Sequence, residues 1–199
     1  INLMNPTSNK SDFEDLTTNL KDLAYSYLEK YNTSKQQLKV YLLKKYLTKI
    51  KGTQSKKEVS SIIDEIILNL EKQKVLNDSL YSDSKARMFL RRGYSLNKIN
   101  QSLRSKGIDY KYIKQTIDKI KDNEIEPDFV SALKLCKRRR IGPLRPQANR
   151  ELFYKKDMGI LARGGFSFDL SKRVLNLETE EFKKLIKIIW LSPFFFFYK

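Results

Sequence analysis

The stretch at residues 89–120 reads FLRRGYSLNKINQSLRSKGIDYKYIKQTIDKI and contains two basic–glycine pairs, Arg92-Gly93 and Lys106-Gly107. After each pair, apolar residues return every three or four positions, which is the spacing of one face of an α-helix. Glycine accepts the positive φ of a helix C-terminal cap, and cations there favour the negative end of the helix dipole. The stretch therefore predicts a helix that ends at Gly93, a second that ends at Gly107, and a third capped by Asp109.

The same pattern recurs along the chain. SLRSKGI (102–108) aligns with ILARGGF (160–166), and Asn32 precedes Ser34 by two residues as Gly93 precedes Ser95. Such a period predicts tandem units that each pack mainly on their neighbours. We therefore predict an all-α protein, an elongated and curved array of tandem three-helix repeats that resemble helix–turn–helix units.

Helix starts and apolar periodicity give the predicted organisation. It comprises a flexible N-terminus at 1–11, repeat 1 at 12–75, repeat 2 at 76–122, repeat 3 at 123–178, and a C-terminal helix with a Phe-rich tail at 179–199. The first helix is expected to start at Ser11-Asp12. The third helix is expected to bury one apolar face, made of Val59, Ile62, Ile63, Ile66, Ile67 and Leu70. Leu80, Tyr81 and Leu152 are placed on apolar faces of later helices.

Positive charge is concentrated in two windows. The chain carries 40 Lys and Arg against 23 Asp and Glu, a net charge of +17. Residues 84–121 contribute +9 and residues 134–156 contribute +8, so the other residues sum to zero. A local surplus of this size predicts a surface for a polyanion or for an acidic protein.

The candidate contact residues are cations at or near the helix ends of the second and third repeats. They are Arg91, Arg92, Lys98, Arg104, Lys106, Lys111, Lys137, Arg138, Arg139, Arg140, Arg145, Arg150 and Arg163. These side chains can neutralise phosphates or pair with acidic residues of a protein partner. Tyr94, Tyr110 and Tyr112 lie among them. Tyrosine can stack on bases, although Tyr81 and Tyr112 are assigned to packing.

The composition argues against several kinds of chemistry. The chain has one cysteine and no histidine, so it lacks an internal disulfide, a thiolate or imidazole metal site, and the commonest general base. Cys136 is expected to be a small core residue, and Asp64-Glu65 stands alone without a second carboxylate cluster. No glycine-rich phosphate loop is present. We therefore expect no enzyme activity, cofactor or metal.

The two ends of the chain bear on its location. The first residues, INLMNPTSNKSDFEDL, lack the basic and apolar segments of a signal peptide, and a chain without disulfides fits the reducing cytoplasm. The C-terminal LIKIIWLSPFFFFYK is too short and interrupted to span a membrane. We expect a cytoplasmic monomer without stable membrane association. Attachment to a membrane surface through the tenth helix and the tail is a weaker alternative.

Four segments resemble the RecX family, bacterial regulatory proteins that modulate the RecA recombinase. They are LAYSYLEKYNTSKQQLKVYLLKK (23–45), NDSLYSDSKARMFLRRGYSLNKINQSLRSKGIDYKYIKQTI (77–117), SALKLCKRRR (131–140) and LARGGFSFDLSKRVL (161–175). Their order matches the family's opening, central, intermediate and closing blocks, over about residues 20–178. The closing block reads Arg-Gly-Gly-Phe where the family pattern has Arg-Arg-Gly-Phe, which removes one cation at Gly164.

The resemblance implies a curved chain of three-helix repeats that lodges in the groove of the RecA–single-stranded DNA filament. It implies binding along that filament and limitation of its growth and activity, with no catalytic residue carried over. The basic positions of the second and third repeats are our candidates for the contacts. A stand-alone basic DNA-binding protein without a recombinase partner is the alternative.

Overall fold

The computed structural model describes residues 6–50 and 55–191, and within these residues it contains helices and no strand. The ten α-helices are α1 (Pro6–Leu28), α2 (Lys35–Lys45), α3 (Lys56–Lys72), α4 (Asp78–Arg91), α5 (Leu96–Ser105), α6 (Tyr110–Asn123), α7 (Pro127–Arg139), α8 (Gln147–Arg163), α9 (Phe168–Leu175) and α10 (Thr179–Leu191). A π-helical turn follows α2 at Tyr46–Ile50, and a 3₁₀ turn lies at Gly142–Leu144. The predicted all-α class is confirmed.

The first helix differs from the prediction at its start. It begins at Pro6 rather than at Ser11-Asp12, so residues 6–11 of the predicted flexible N-terminus are helical. Proline suits the first helical position because its φ is already fixed and its missing N–H has no helical partner there. The Phe-rich tail from residue 192 onward lies outside the described residues.

The described chain forms two compact units. The first contains the described residues up to Tyr81 together with Lys106–Ile108. Faces of α1, α2 and α3 form its core, and all six apolar residues predicted for α3 are buried. A stacked pair of Tyr27 and Tyr41, with ring centroids 4.1 Å apart, joins α1 to α2. Ser55 and Glu58 form a reciprocal capping box that starts α3.

The second unit contains Ser82–Ser105 and the described residues from Asp109 onward. Its main core cluster takes side chains from α7, the 3₁₀ turn, α8, α9 and α10. The fully buried members include Ala132, Leu133, Cys136, Leu161 and Val174. The division into three repeats with boundaries at residues 75, 122 and 178 remains a prediction.

Two leucines expected on apolar faces are exposed instead. Leu80 is 65% exposed and Leu152 is 75% exposed. The inner face of α4 carries the buried Ser82, whose hydroxyl lies 2.9 Å from that of Thr116 on α6. The inner face of α8 carries the buried Asp157. Polar residues occupy these inner faces because their partners satisfy them inside the unit, and apolar spacing alone does not reveal such partners.

The start of α2 is held by residues distant in sequence. The Ser34 hydroxyl accepts a hydrogen bond from the Gln37 N–H at 3.2 Å and donates to the Lys106 carbonyl at 2.6 Å. The Lys35 N–H donates to the Asp78 carboxylate at 3.0 Å. The first turn of α2 is thus capped by its own serine and by the aspartate that begins α4.

The start of α5 is held in the same way. The Ser95 hydroxyl accepts from the Lys98 N–H at 3.1 Å, and the Leu96 N–H donates to the Asp128 carboxylate at 2.7 Å. The Ser95 N–H donates to the Gly164 carbonyl at 3.1 Å. A serine, an aspartate and a glycine-containing turn therefore recur in matching roles at α2 and α5, while the three-helix period itself stays a prediction.

The turn between α4 and α5 packs directly on the backbone of α7. Gly93 has φ +71°, and a methyl group added there would lie 2.5 Å from the Leu135 nitrogen and 2.7 Å from the Ser131 carbonyl oxygen. A side chain is therefore excluded both by the left-handed conformation and by space. Backbone atoms are the neighbours, so a rotamer change cannot relieve the clash.

Replacing Gly93 tests this packing. We expect Gly93→Ala to lower the free energy of unfolding by about 2–4 kcal/mol, because left-handed strain and overpacking add. Gly159→Ala is the matched control, since Gly159 lies within α8 and its added methyl group would meet only the flexible Arg163 side chain, at 3.4 Å. The control should change stability by less than about 1 kcal/mol, in the favourable direction. Urea titration of both variants measures the difference, and equal stabilities would contradict the proposed close approach.

Candidate functional site

The α4–α5 turn brings together cations from four helices. Gly93 lies on α7 and Ser95 on the turn that follows α8, so the adjoining basic residues of these helices gather around one turn. We call these residues the turn cluster: Arg91, Arg92, Lys98, Arg138 and Arg163. Arg91, Arg138 and Arg163 lie in the last turns of α4, α7 and α8. Cations at helix C-termini interact favourably with the helix dipoles.

Two aromatic rings lie next to the turn cluster. The Arg138 guanidinium carbon is 5.6 Å from the centroid of the Tyr94 ring, within the range of a cation–π contact. The Tyr94 ring meets Phe89 edge to face with centroids 5.4 Å apart. The aromatic pair therefore supports Arg138 from the α4 side.

The charges of the turn cluster are not neutralised within the described part of the chain. None of its five cations forms an ion pair with a carboxylate among residues 6–50 and 55–191. Four of the five are exposed, and Lys98 is half-buried. The cluster therefore presents uncompensated positive charge to the solvent.

A second basic segment is continuous with the turn cluster through Arg138. It is the basic run, residues 137–140, all four of which are exposed at the end of α7. Arg140 ends the helix in the left-handed conformation with φ 53°, and its N–H donates to the Lys137 carbonyl at 3.3 Å. The structure thus places Lys137, Arg138, Arg139 and Arg140 on consecutive exposed positions beside the α4–α5 turn.

Arg145 and Arg150 use their donors inside the second unit. Arg145 forms two hydrogen bonds of 2.7 Å, from Nε and Nη2, to the buried carboxylate of Asp157, and this pairing raises the pKa of Arg145. The Nη2 of Arg150 donates to the Pro143 carbonyl at 2.8 Å and to the Thr179 hydroxyl at 2.7 Å. Both arginines therefore hold the α7–α8 connection in place.

The remaining predicted cations lie elsewhere. Arg104 and Lys111 are exposed at the end of α5 and the start of α6, distant from Lys98 along α5. Arg104 lies 5.9 Å from the centroid of the Tyr110 ring, and Lys111 lies 4.7 Å from that of Tyr112, which is half-buried. Lys106 belongs to the first unit and is half-buried.

The structure adds one cation to the candidates. Arg87 is exposed on α4 one turn before Arg91, so the two side chains share a helix face. Arg87 lies within α4 rather than at a helix end, so the helix-end pattern in the sequence did not single it out. The four-residue spacing from Arg87 to Arg91 was the available signal.

Comparison with known proteins identifies the family. A relative from Myxococcus xanthus named Regulatory protein RecX is 32% identical over 162 residues, which cover 80% of this chain and 85% of that protein. This chain belongs to the RecX family. A second Regulatory protein RecX, from Agrobacterium fabrum, is 27% identical over 113 residues, covering 57% of this chain and 58% of its own length. No protein-family model matches the chain.

A solved RecX structure supports the fold. The crystal structure of regulatory protein RecX superposes with a TM-score of 0.57 at 21% identity and covers 86% of this chain and 77% of its own. Membership of a family of regulatory proteins gives the chain a regulatory role. The two windows of positive charge, residues 84–121 and 134–156, both lie within the RecX-like region of about residues 20–178.

The candidate reactive side chains singled out by the sequence have structural partners or surroundings in the fold. Cys136 is completely buried, as expected, and burial raises the pKa of its thiol to about 12, with a smaller contribution from Asp157. Asp64 pairs with Lys39 at 2.6 Å on the surface of α3. Among residues 6–50 and 55–191, no group of three acidic, cysteine or histidine side chains could hold a metal ion, and no helix is long and apolar enough to cross a membrane.

Because Cys136 is buried, the reactivity of its thiol reports on unfolding of the core of the second unit. We expect the native thiol to resist alkylation by iodoacetamide at pH 8, because the reactive thiolate is suppressed and the sulfur is inaccessible. In denaturant the same thiol should react at the rate of a free cysteine. Labelling followed by intact-mass measurement gives both rates. Fast labelling of the folded protein would contradict the core position of this residue.

Proposed function

We propose that this RecX-family chain binds the RecA–single-stranded DNA filament along its groove and inhibits or modulates the recombinase. The observation that carries the proposal is the turn cluster, in which cations from four helices, four of the five exposed, converge without an acidic partner among the described residues. The basic run extends the contact surface, and Arg104, Lys106 and Lys111 contribute further cations. The chain acts as a cytoplasmic monomer that bridges successive protomers of the filament.

A nucleoprotein filament offers both kinds of group that such a surface recognises. Arginine forms bidentate hydrogen bonds with phosphate and with carboxylate, and each neutralised phosphate releases counterions. Tyr94, supported by Phe89, adds an aromatic group beside these cations. In this proposal Arg145 and Arg150 act indirectly, because Arg145 binds the Asp157 carboxylate and Arg150 binds the Pro143 carbonyl and the Thr179 hydroxyl.

A recombinase assay tests the function directly. RecA is assembled on single-stranded DNA, and ATP hydrolysis and strand exchange are followed as this protein is added. We expect both activities to change in a concentration-dependent way, with the change complete near the stoichiometry of filament binding. Unchanged rates at stoichiometric amounts would reject the proposal.

Charge reversal in the turn cluster locates the contact. We expect Arg91→Glu/Arg92→Glu to weaken filament binding at least about tenfold, equivalent to about 1.4 kcal/mol, because two favourable contacts become repulsive. Helicity should be retained, since both side chains are exposed at the end of α4. Co-sedimentation with the filament and circular dichroism measure the two properties.

A matched variant separates position from net charge. Lys56→Glu/Lys57→Glu makes the same change in net charge at exposed positions in the first turn of α3, where acidic residues suit the helix dipole. It should bind nearly as tightly as the parent protein. Equal weakening in both variants would mean that overall charge, rather than the turn cluster, determines binding.

Stand-alone DNA binding is the second candidate, favoured by the confinement of the charge surplus to two windows. It differs from the first in its dependence on RecA. Binding to a single-stranded oligonucleotide is measured with and without RecA over a range of salt concentrations. Tight, strongly salt-dependent binding that RecA leaves unchanged would favour the stand-alone role. Binding that is much tighter to the RecA-coated strand favours the filament.

A further inference from the structure

A buried carboxylate holds the loop that follows the basic run. Asp157 lies on the inner face of α8 and is 1% exposed. It accepts a hydrogen bond from the Gly142 N–H at 2.9 Å and two hydrogen bonds of 2.7 Å from the Arg145 guanidinium. One carboxylate thus binds both ends of the 142–145 segment.

Other contacts fix the same loop. Gly142 has φ +57° and lies against Leu175, leaving no room for a side chain. The Pro143 carbonyl accepts from Arg150. The Arg145 guanidinium lies over Phe153, with its carbon 4.5 Å from the ring centroid. The segment is therefore held by several contacts, and Asp157 contributes the ion pair with Arg145.

The basic run has weaker support of its own. Arg140 adopts the left-handed conformation, which is unfavourable for a residue with a side chain and persists only where the surroundings hold it. The next residue, Ile141, is buried, and its N–H donates to the Cys136 carbonyl at 3.1 Å.

We propose that Asp157 is a positioning residue for the basic run: by clamping Gly142 and Arg145 it fixes the directions of Arg138, Arg139 and Arg140 for polyanion binding. The inference rests on the proposed function, because it assumes that the basic run contacts the nucleoprotein filament. It assigns a positioning role to an acidic residue that is buried and therefore inaccessible to DNA or to a protein partner.

Whether Asp157→Asn strengthens or weakens binding separates positioning from simple electrostatics. Asp157→Asn removes a negative charge from a basic region, so the protein's overall field would strengthen its attraction to a polyanion. Loss of the clamp has the opposite effect, because the run is no longer pre-organised and must be ordered on binding. Arg145→Gln removes a positive charge yet breaks the same clamp. Positioning therefore predicts weaker binding in both variants.

The experiment measures the affinity of the full chain for oligo(dT) and for the RecA filament on oligo(dT), at several salt concentrations. We expect Asp157→Asn and Arg145→Gln each to bind about three- to tenfold more weakly, with the salt dependence of the parent protein. The double variant should bind no more weakly than the weaker-binding single variant, because both substitutions remove the same Asp157–Arg145 interaction. Arg145→Lys, which keeps the charge, should recover part of the lost affinity.

A direct variant of the basic run provides the reference. Arg139→Ala/Arg140→Ala should weaken binding and also reduce the salt dependence, since two phosphate contacts are lost. Unchanged affinity in this variant would overturn the contact role of the run in the proposed function, and the positioning role with it. If this variant weakens binding but Asp157→Asn binds equally or more tightly, only the positioning role is overturned.

Folding is monitored in parallel. Circular dichroism establishes that each variant is folded at the binding temperature, and amide hydrogen exchange at Arg140 and Gly142 should accelerate in Asp157→Asn and Arg145→Gln. Should Asp157→Asn fail to fold, Arg145→Lys carries the test, because it keeps the charge of Arg145 and alters only its bonds to Asp157. Binding intermediate between that of the parent protein and that of Arg145→Gln supports the proposal. Binding equal to that of the parent protein, as charge alone predicts, or as weak as that of Arg145→Gln, overturns it.

Discussion

The close approach of the α4–α5 turn to the backbone of α7 is the constraint on which the second unit depends. Only glycine fits at Gly93, because its added Cβ would meet backbone atoms rather than a movable side chain. The same turn carries Ser95, whose hydroxyl caps α5 and whose N–H donates to the Gly164 carbonyl. The end of α4, the start of α5 and the packing of both on α7 therefore all depend on this one turn.

The basic charge follows from the same arrangement. A helix that ends in a tight glycine turn leaves carbonyl groups at its C-terminus, and cations in the last turn stabilise that end by about 0.3–1 kcal/mol each. Where several such ends meet, their cations also meet. The charge that stabilises the individual helices thus accumulates into one exposed positive surface, and the proposed polyanion contact has the same physical origin as the stability of the helix ends.

Local features of the fold could be predicted from the sequence. The glycines at 93, 107 and 165 have positive φ, and Ser34, Ser95 and Asp109 act as helix caps, because these signals depend on residues a few positions away. The inner faces of α4 and α8 were less accessible. Each carries a polar residue in place of the expected leucine, and its partner is supplied by another part of the chain.

The candidate site could be predicted only in part from the sequence, for the same reason. The sequence indicated which cations lie at helix ends, but the gathering of Arg91, Arg138 and Arg163 around one turn depends on tertiary packing. It also could not distinguish Arg145 from its exposed neighbours, since its carboxylate partner lies 12 residues away on the inner face of α8. Charge counts locate a basic segment, whereas the role of each arginine depends on its partners.

Hydrogen–deuterium exchange of this protein, free and bound to the RecA filament on single-stranded DNA, tests the central claim most directly. Binding should slow exchange at residues 92–98, 137–142 and 163–166 and leave exchange in α3 unchanged. Slowed exchange confined to α3 and the rest of the first unit, with the turn cluster unaffected, would contradict it.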